Sequence, residues 1–405
     1  MYKRWQEKNL VAAMASRRAV HLTGARQCGK STLAGLTEFK SVRRYTFDDD
    51  AVRLTAEGDP RGFTTRSPGE TFVIDEVQKV PAILNAIKIN LDHCDEKGQY
   101  LLTGSSNLRF AKAVRDSLAG RLRTIRLRTL TAGEILGTDG EFLSRAFNRD
   151  FPDEVNGFGK REVIARAFAG GYPEVLTLDD SERRFWFEDY LNDVLIKDVR
   201  DVTEIRKVDS LRLVMNWLLA YTSKFFELKD MAMQCGIKQE TAKAYIETLK
   251  ALYLVDEVAP WGKSDYAKIG KRVKHFASDP SLVANKLAWR QDEVYFDDDK
   301  SGKLVETWVY HELASLSEMI PGVQISQYRD SDKREIDFLI ENAAGAMLGI
   351  EVKSGSAIGI GDFKHLKWFA KTLFHGPFTG IVLYGGTRTL RFGEGFYAVP
   401  LGALA

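Results

Sequence analysis

Gly24-Ala25-Arg26-Gln27-Cys28-Gly29-Lys30-Ser31 follows the apolar run AVHLT and opens the stretch STLAGLTEF, with Thr32 next in line. Glycines at the first and sixth places let main-chain N–H groups close around phosphate oxygens, and the helix start beneath them favours negative charge. In such a loop Lys30 reaches the β- and γ-phosphates and the Ser31 hydroxyl ligates Mg²⁺. TFVIDE (Thr71–Glu76) is an apolar strand ending in two carboxylates. Asp75 would hold Mg²⁺ through its water shell, and Glu76 would orient or polarise an attacking water. Alone, an Asp-Glu pair after a strand is more often a cap or a turn. With the loop at Gly24 it reads as ATP chemistry. YLLTGSSN brings Thr103 or Ser105 within reach of the γ-phosphate or its water. Arg121, which ends the helical stretch NLRFAKAVRDSLAG, is placed to act as a finger on a neighbouring subunit's nucleotide. That role implies a homo-oligomer; its alternative is surface salt bridging alongside Arg123, Arg126 and Arg128.

A second group of chemical residues lies in Glu335–Lys353. EIDFLI and MLGIEVK alternate around the turn ENAAGA and predict a hairpin centred on Ala344. Asp337 then faces Glu351, and Lys353 shares their side of the sheet. Opposed carboxylates repel, and a divalent cation between them removes that cost. Asp337, Glu351 and Lys353 therefore read as a metal-plus-lysine set taking Mg²⁺ or Mn²⁺, with Glu306 on the preceding helix as a further carboxylate. The metal would activate a water, and Lys353 would position it or stabilise charge at a phosphate. The alternative is a face tied by ion pairs, Glu335 with Lys353 among them.

The elements that must carry these residues follow from periodicity. In the first third, apolar runs alternate with helical stretches, which predicts a parallel sheet covered by helices on both sides. Residues 160–259 read as helical, and the pattern after Pro280 returns to a long helix, strands and a second helix. LKDMAMQCG and KQETAKAYIETLKALYLV are two helices joined by a turn with Gly236, the helix-turn-helix outline. Lys238, Gln239, Thr241 and Lys243 lie early on the second helix, where DNA contacts would be made. LVDEVAPW then starts a hairpin, and GKSDYAKIGKRVK carries Lys263, Lys268, Lys271, Arg272 and Lys274 against Asp265, a basic wing suited to a phosphate backbone. The bland reading is a packing module with solvated lysines. The predicted division is a P-loop sheet domain over 1–150, a helical lid or linker over 151–205, a winged-helix domain over 206–285 and an α/β domain over 286–405.

Composition limits the remaining choices. Hydrophobic residues at 44% and charged residues at 28% are those of a soluble globular chain, and 405 residues suggest two or three domains. No apolar run is long enough to span a bilayer, and the charged start MYKRWQEKNL lacks a secretory core. Three scattered cysteines argue against a disulfide framework and for a reducing, cytoplasmic setting. A net charge of +2 does not by itself bear on nucleic acid.

In order, YKRW, LTGARQCGKSTL, FVIDEVQKVP, LLTGSSN, SLAGR, GGYPEV, YLNDVLIKDVR and YRDSDKREIDFLIE…IEVKSG resemble the bacterial and archaeal AAA+ ATPases whose C-terminal region joins a winged helix to a nuclease-like fold. The resemblance covers nearly the whole chain. Its C-terminal part is similar to the PD-(D/E)xK nucleases and Holliday-junction resolvases, with Glu306, Asp337, Glu351 and Lys353 matching the helix acid, first acid, second acid and lysine. It implies ATP roles for Lys30, Ser31, Asp75, Glu76 and Arg121. Where that family has an asparagine-rich turn before the wing, this chain has GKSDYAKIGKRVK. The expected function is an ATPase coupling nucleotide state to DNA binding, with metal-dependent cleavage as a further step. The alternatives are a non-cleaving binding module and a nucleotide-gated switch acting on a protein partner.

Overall fold

The computed structural model describes residues 1–39, 41–104, 118–155, 158–198, 208–264 and 272–405. Ser105, Lys268, Lys271 and most of the expected helix before Arg121 lie outside the described residues.

Five strands, β1 (Ala19–Thr23), β2 (Val42–Thr46), β3 (Thr71–Asp75), β4 (Tyr100–Gly104) and β5 (Leu122–Arg126), form a parallel sheet in the order β2-β3-β4-β1-β5. β1 and β4 are buried along their whole length, as a central parallel strand covered on both faces must be. Val20 and Leu22 pack with Leu10, Ala13 and Leu33 from the helices Glu7–Ser16 and Lys30–Leu36. On the other face Phe72, Ile74 and Leu102 meet Leu84, Ile87 and Leu91 of the helix Ile83–His93. Parallel strands then deliver Gly24, Asp75 and Thr103 to one edge of the sheet.

The middle of the chain is helical, as its periodicity predicts. The helices Val208–Ala220, Leu228–Gln234 and Gln239–Ala251 precede an antiparallel pair, β6 (Val255–Val258) and β7 (Lys274–Ala277). Gly236 takes φ +65° in the turn between the second and third helices.

The long C-terminal helix, whose apolar pattern in the sequence spans Leu304–Met319, begins earlier, at Asp298, and runs to Met319. Its N-terminus is capped by Asp297, whose side chain accepts from the Lys300 N–H. It packs on a six-stranded sheet of β8 (Gln324–Arg329), β9 (Glu335–Glu341), β10 (Met347–Lys353), β11 (Phe378–Tyr384), β12 (Leu390–Arg391) and β13 (Phe396–Pro400), ordered β12-β13-β11-β10-β9-β8. The opposite face holds the helix Lys364–Thr372 through Leu366 and Phe369. β9 and β10 pair with Ile350 opposite Phe338 and Met347 opposite Glu341, a register centred on Ala344 as the alternation predicts. Among the described residues no helix is long and apolar enough to cross a membrane.

Candidate functional site: a phosphate loop wired to a buried charge junction

The loop after β1 is shaped by contacts that only glycine permits at its start. A Cβ on Gly24 would lie 2.1 Å from the Leu127 carbonyl oxygen, so a side chain there collides with backbone. Gly29, at φ +99°, starts the helix Lys30–Leu36. Lys30 is buried and folds over the loop, its Nζ donating to the carbonyls of Ala25 at 2.8 Å and Gly24 at 3.2 Å. Ser31 and Thr32 are exposed at the helix start, Ala25 and Cys28 are buried, Arg26 is half-buried and Gln27 is exposed in the left-handed region at φ +60°.

Across the sheet edge the Thr103 hydroxyl bonds the Asp75 carboxylate. Glu76 takes φ +53°, an uncommon conformation for a side-chain-bearing residue and one found at functional sites. Its carboxylate accepts from the Gln78 amide. Burial pushes the Glu76 carboxyl above its ordinary range, Asp75 adds to that, and Lys30 opposes it. Asp75, bonded to Thr103, and the exposed Ser31 carry the hard oxygen donors that Mg²⁺ takes. Arg121 sits at the start of β5, the opposite edge of its own sheet, where Asp92 holds it through Nη2–Oδ2 at 3.1 Å.

Arg4, part of the YKRW stretch but given no role in the sequence reading, braces the loop. Its Nη1 donates to the Cys28 carbonyl at 2.8 Å, its Nη2 to the Arg128 carbonyl at 2.6 Å and its Nε to Glu134 at 3.0 Å. Arg126 and Arg128, named in the sequence reading only beside the salt-bridging alternative for Arg121, reach out of the sheet domain. Arg128 Nη1 meets Asp256 at 2.6 Å and its Nη2 meets Glu318 at 2.9 Å, while Arg126 meets Asp256 at 2.9 Å. Burial opposes the charge on Asp256, but the two guanidinium groups outweigh it and hold its carboxyl well below the usual carboxylate range. Thr23, one residue before the loop, also bonds the Tyr253 hydroxyl at 2.8 Å. Apart from Arg4 and Cys28, these partners are more than a hundred residues apart, so no local pattern announces them.

In the middle unit Lys238, Gln239 and Lys243 are exposed and Thr241 is half-buried. Arg272 pairs with Glu227. The segment beyond β6 does not stand free: the Trp261 N–H donates to the Gln327 carbonyl at 2.7 Å, extending the edge of β8.

Lys274, counted in sequence with the basic wing, is buried instead. All four residues of β7 are buried, so Lys274 has no solvent-facing position to take. Its ammonium lies 2.6 Å from Glu306, 2.9 Å from Glu335 and 3.4 Å from Asp337. Asp337 also accepts from the Val352 N–H at 2.9 Å. Burial works against the Lys274 charge, yet these carboxylates raise its pKa above the ordinary lysine range. Burial, opposed by Lys274, pushes the Glu306 carboxyl up to about 8. Burial and the neighbouring Asp337 push Glu351 well above the carboxylate range, and its Oε1 is buried with no hydrogen-bond partner. Glu335 faces Lys274 and Arg329 rather than Lys353, and Lys353 is 3.8 Å from Asp362. Among the described residues no set of three His, Cys, Asp or Glu stands ready to hold a metal ion. The acid set as folded therefore does not fit a divalent cation, because an ammonium already sits among three of its carboxylates.

Residues 16–136 match the model of an AAA domain. The first third of the chain is thus similar to an AAA domain. Residues 160–293 match a domain of unknown function, DUF8612, and residues 301–404 another, DUF4143. An uncharacterized protein of Mycobacterium tuberculosis is 25% identical over 361 residues, covering 86% of this chain and 74% of its own length, and a Mycobacterium bovis protein matches equally. Among solved structures, the Walker-type ATPase of Pyrococcus abyssi aligns at 14% identity over 70% of this chain and 95% of that one, with a TM-score of 0.44. Thermotoga maritima RuvB aligns at 17% identity over 62% and 87%, with a TM-score of 0.28.

Proposed function

We propose that this chain is an ATP-hydrolysing P-loop protein whose nucleotide state is coupled to DNA binding by its middle unit, which we read as a winged helix. The observation that carries the coupling is the continuous set of contacts from the loop carbonyl of Cys28, through Arg4 and Arg128, to Asp256 and Glu318. Lys30 leaves its carbonyl partners for the β- and γ-phosphates, Gly24–Thr32 cradles them, and Glu76 orients the attacking water. Mg²⁺, held by Ser31 and through water by Asp75, would neutralise phosphate charge. Arg121 precedes β5, at the end of the strand away from the loop, and in this reading it would serve a neighbour's nucleotide in a homo-oligomer.

DNA phosphates would meet Lys238, Gln239, Thr241 and Lys243 on the exposed start of their helix, with Lys268, Lys271 and Arg272 of the wing. Fluorescence anisotropy with labelled duplex at two salt concentrations, without nucleotide and with ATP, tests this. Affinity should fall steeply with salt, shift with ATP, and lose that shift in Lys30→Ala. Salt-insensitive or absent binding would leave the second reading, a nucleotide-gated switch with a protein partner. The lysine among the acids supports a non-cleaving C-terminal module in either reading.

A further inference from the structure

The C-terminal acids come from separate elements and surround one point. Glu306 projects from the helix Asp298–Met319, and Glu335 and Asp337 project from β9. An isolated cluster of buried carboxylates is costly and must be neutralised by protons, by a metal or by a basic side chain. Here the basic side chain comes from β7, in another unit of the fold. Its exposure is 1%, and all three carboxylates lie within ion-pair range of Nζ. An ammonium has three N–H donors, so these contacts saturate it. The rings of Phe225 and Phe276 lie 5.4 Å and 5.9 Å from the same nitrogen and present their faces to the charge.

We infer that Lys274 is the resident cation of this acid set, and that the set accepts a divalent ion only when the Lys274 ammonium is removed. Lys274 serves three nearby carboxylates, with Arg329 at 3.8 Å from Glu335 as a second, more exposed cation, and Glu351 adds a fourth carboxylate whose buried oxygen has no partner. Oxygen donors in excess of charge are what a hard divalent ion recruits. Replacing the lysine by a neutral chain of similar length leaves these donors around the place its ammonium filled. The inference deepens the reading of a non-cleaving C-terminal module and does not depend on the ATPase or on DNA binding.

Mn²⁺ titration of the full chain without nucleotide, followed by electron paramagnetic resonance, tests it. The parent and Asp337→Asn should show the same binding curve, because no ion occupies the acid set. Lys274→Met should gain one bound Mn²⁺ per chain, and Lys274→Met/Asp337→Asn should lose it. The melting temperature of Lys274→Met should fall in EDTA and recover with Mn²⁺, while the parent is unmoved by either. An Asp337-dependent ion in the parent would overturn the inference, as would a folded Lys274→Met that gains none. If Lys274→Met folds in neither condition, the parent against Asp337→Asn still decides: matching curves support the resident lysine and differing curves overturn it. ATP turnover and DNA affinity of the parent, measured separately, distinguish failure here from failure of the proposed function.

Discussion

Asp256→Ala removes the common partner of two arginines in a site nearly closed to water. Side-chain exposure is 8% for Asp256, 5% for Arg128 and 24% for Arg126. The variant leaves both guanidinium groups with Glu318 as their one carboxylate, at 2.9 Å from Arg128 and 3.8 Å from Arg126. Removing one member of a buried ion pair costs roughly 3–5 kcal/mol, because the remaining charge stays desolvated and unpaired. At about 1.4 kcal/mol per tenfold, that is a factor of roughly 10² to 4 × 10³ in local opening. The chain has several units and need not unfold in one step, so amide hydrogen exchange in β6 and β7 is the suitable measure. Replacing the trio together, as Arg126→Met, Arg128→Met and Asp256→Leu, should recover most of the loss, since no charge is then stranded. Asp256→Ala should also blunt the ATP response of DNA binding while ATP affinity stays near parental. Protection within about 1 kcal/mol of the parent, with a full ATP response, would refute both the energetic argument and the proposed coupling. The depressed Asp256 pKa means its contribution is present above the ordinary carboxylate range and is lost only as pH falls through its lower folded value. Mild acid should therefore leave the junction intact.

Glu76→Gln should retain ATP binding and lose turnover, and Lys30→Ala should lose binding. Because burial raises the Glu76 pKa, the acid limb of turnover against pH should lie above the ordinary carboxylate range; a limb at the usual position argues against Glu76 as the base. Arg121→Ala should lower turnover by roughly 10³-fold with ATP affinity kept and thermal stability nearly unchanged, since its Asp92 pair is partly exposed. Equal turnover, or a fully active monomer by sedimentation, would remove the finger. Lys238→Ala/Lys243→Ala should weaken DNA binding across sequences and reduce the slope of log affinity against log salt by about one for each phosphate no longer neutralised. An unchanged slope would place the DNA surface elsewhere.

What could be read from the sequence was local. The phosphate loop is eight consecutive residues whose chemistry and backbone demands are written in their spacing. The hairpin centred on Ala344 is equally local, because a period of two and a short turn leave a single register that buries Phe338 and Ile350 together. The parallel sheet followed from alternating runs, and so did the edge at which Asp75 and Thr103 meet. Charges carry no such signature. Arg128 reads the same on paper whether it ends in solvent or against Asp256, 128 residues away. Lys274 sits in a run of lysines that looks solvated, and only the inward turn of β7 brings it to Glu306, Glu335 and Asp337. Arg4 lies in the YKRW stretch near the N-terminus, which says nothing of its partners, yet it bonds the loop and the chain just beyond β5 at once. Local periodicity thus determined the elements and the nucleotide chemistry. The partner of each buried charge was decided by tertiary packing, because a long-range ion pair depends on which surfaces exclude water together.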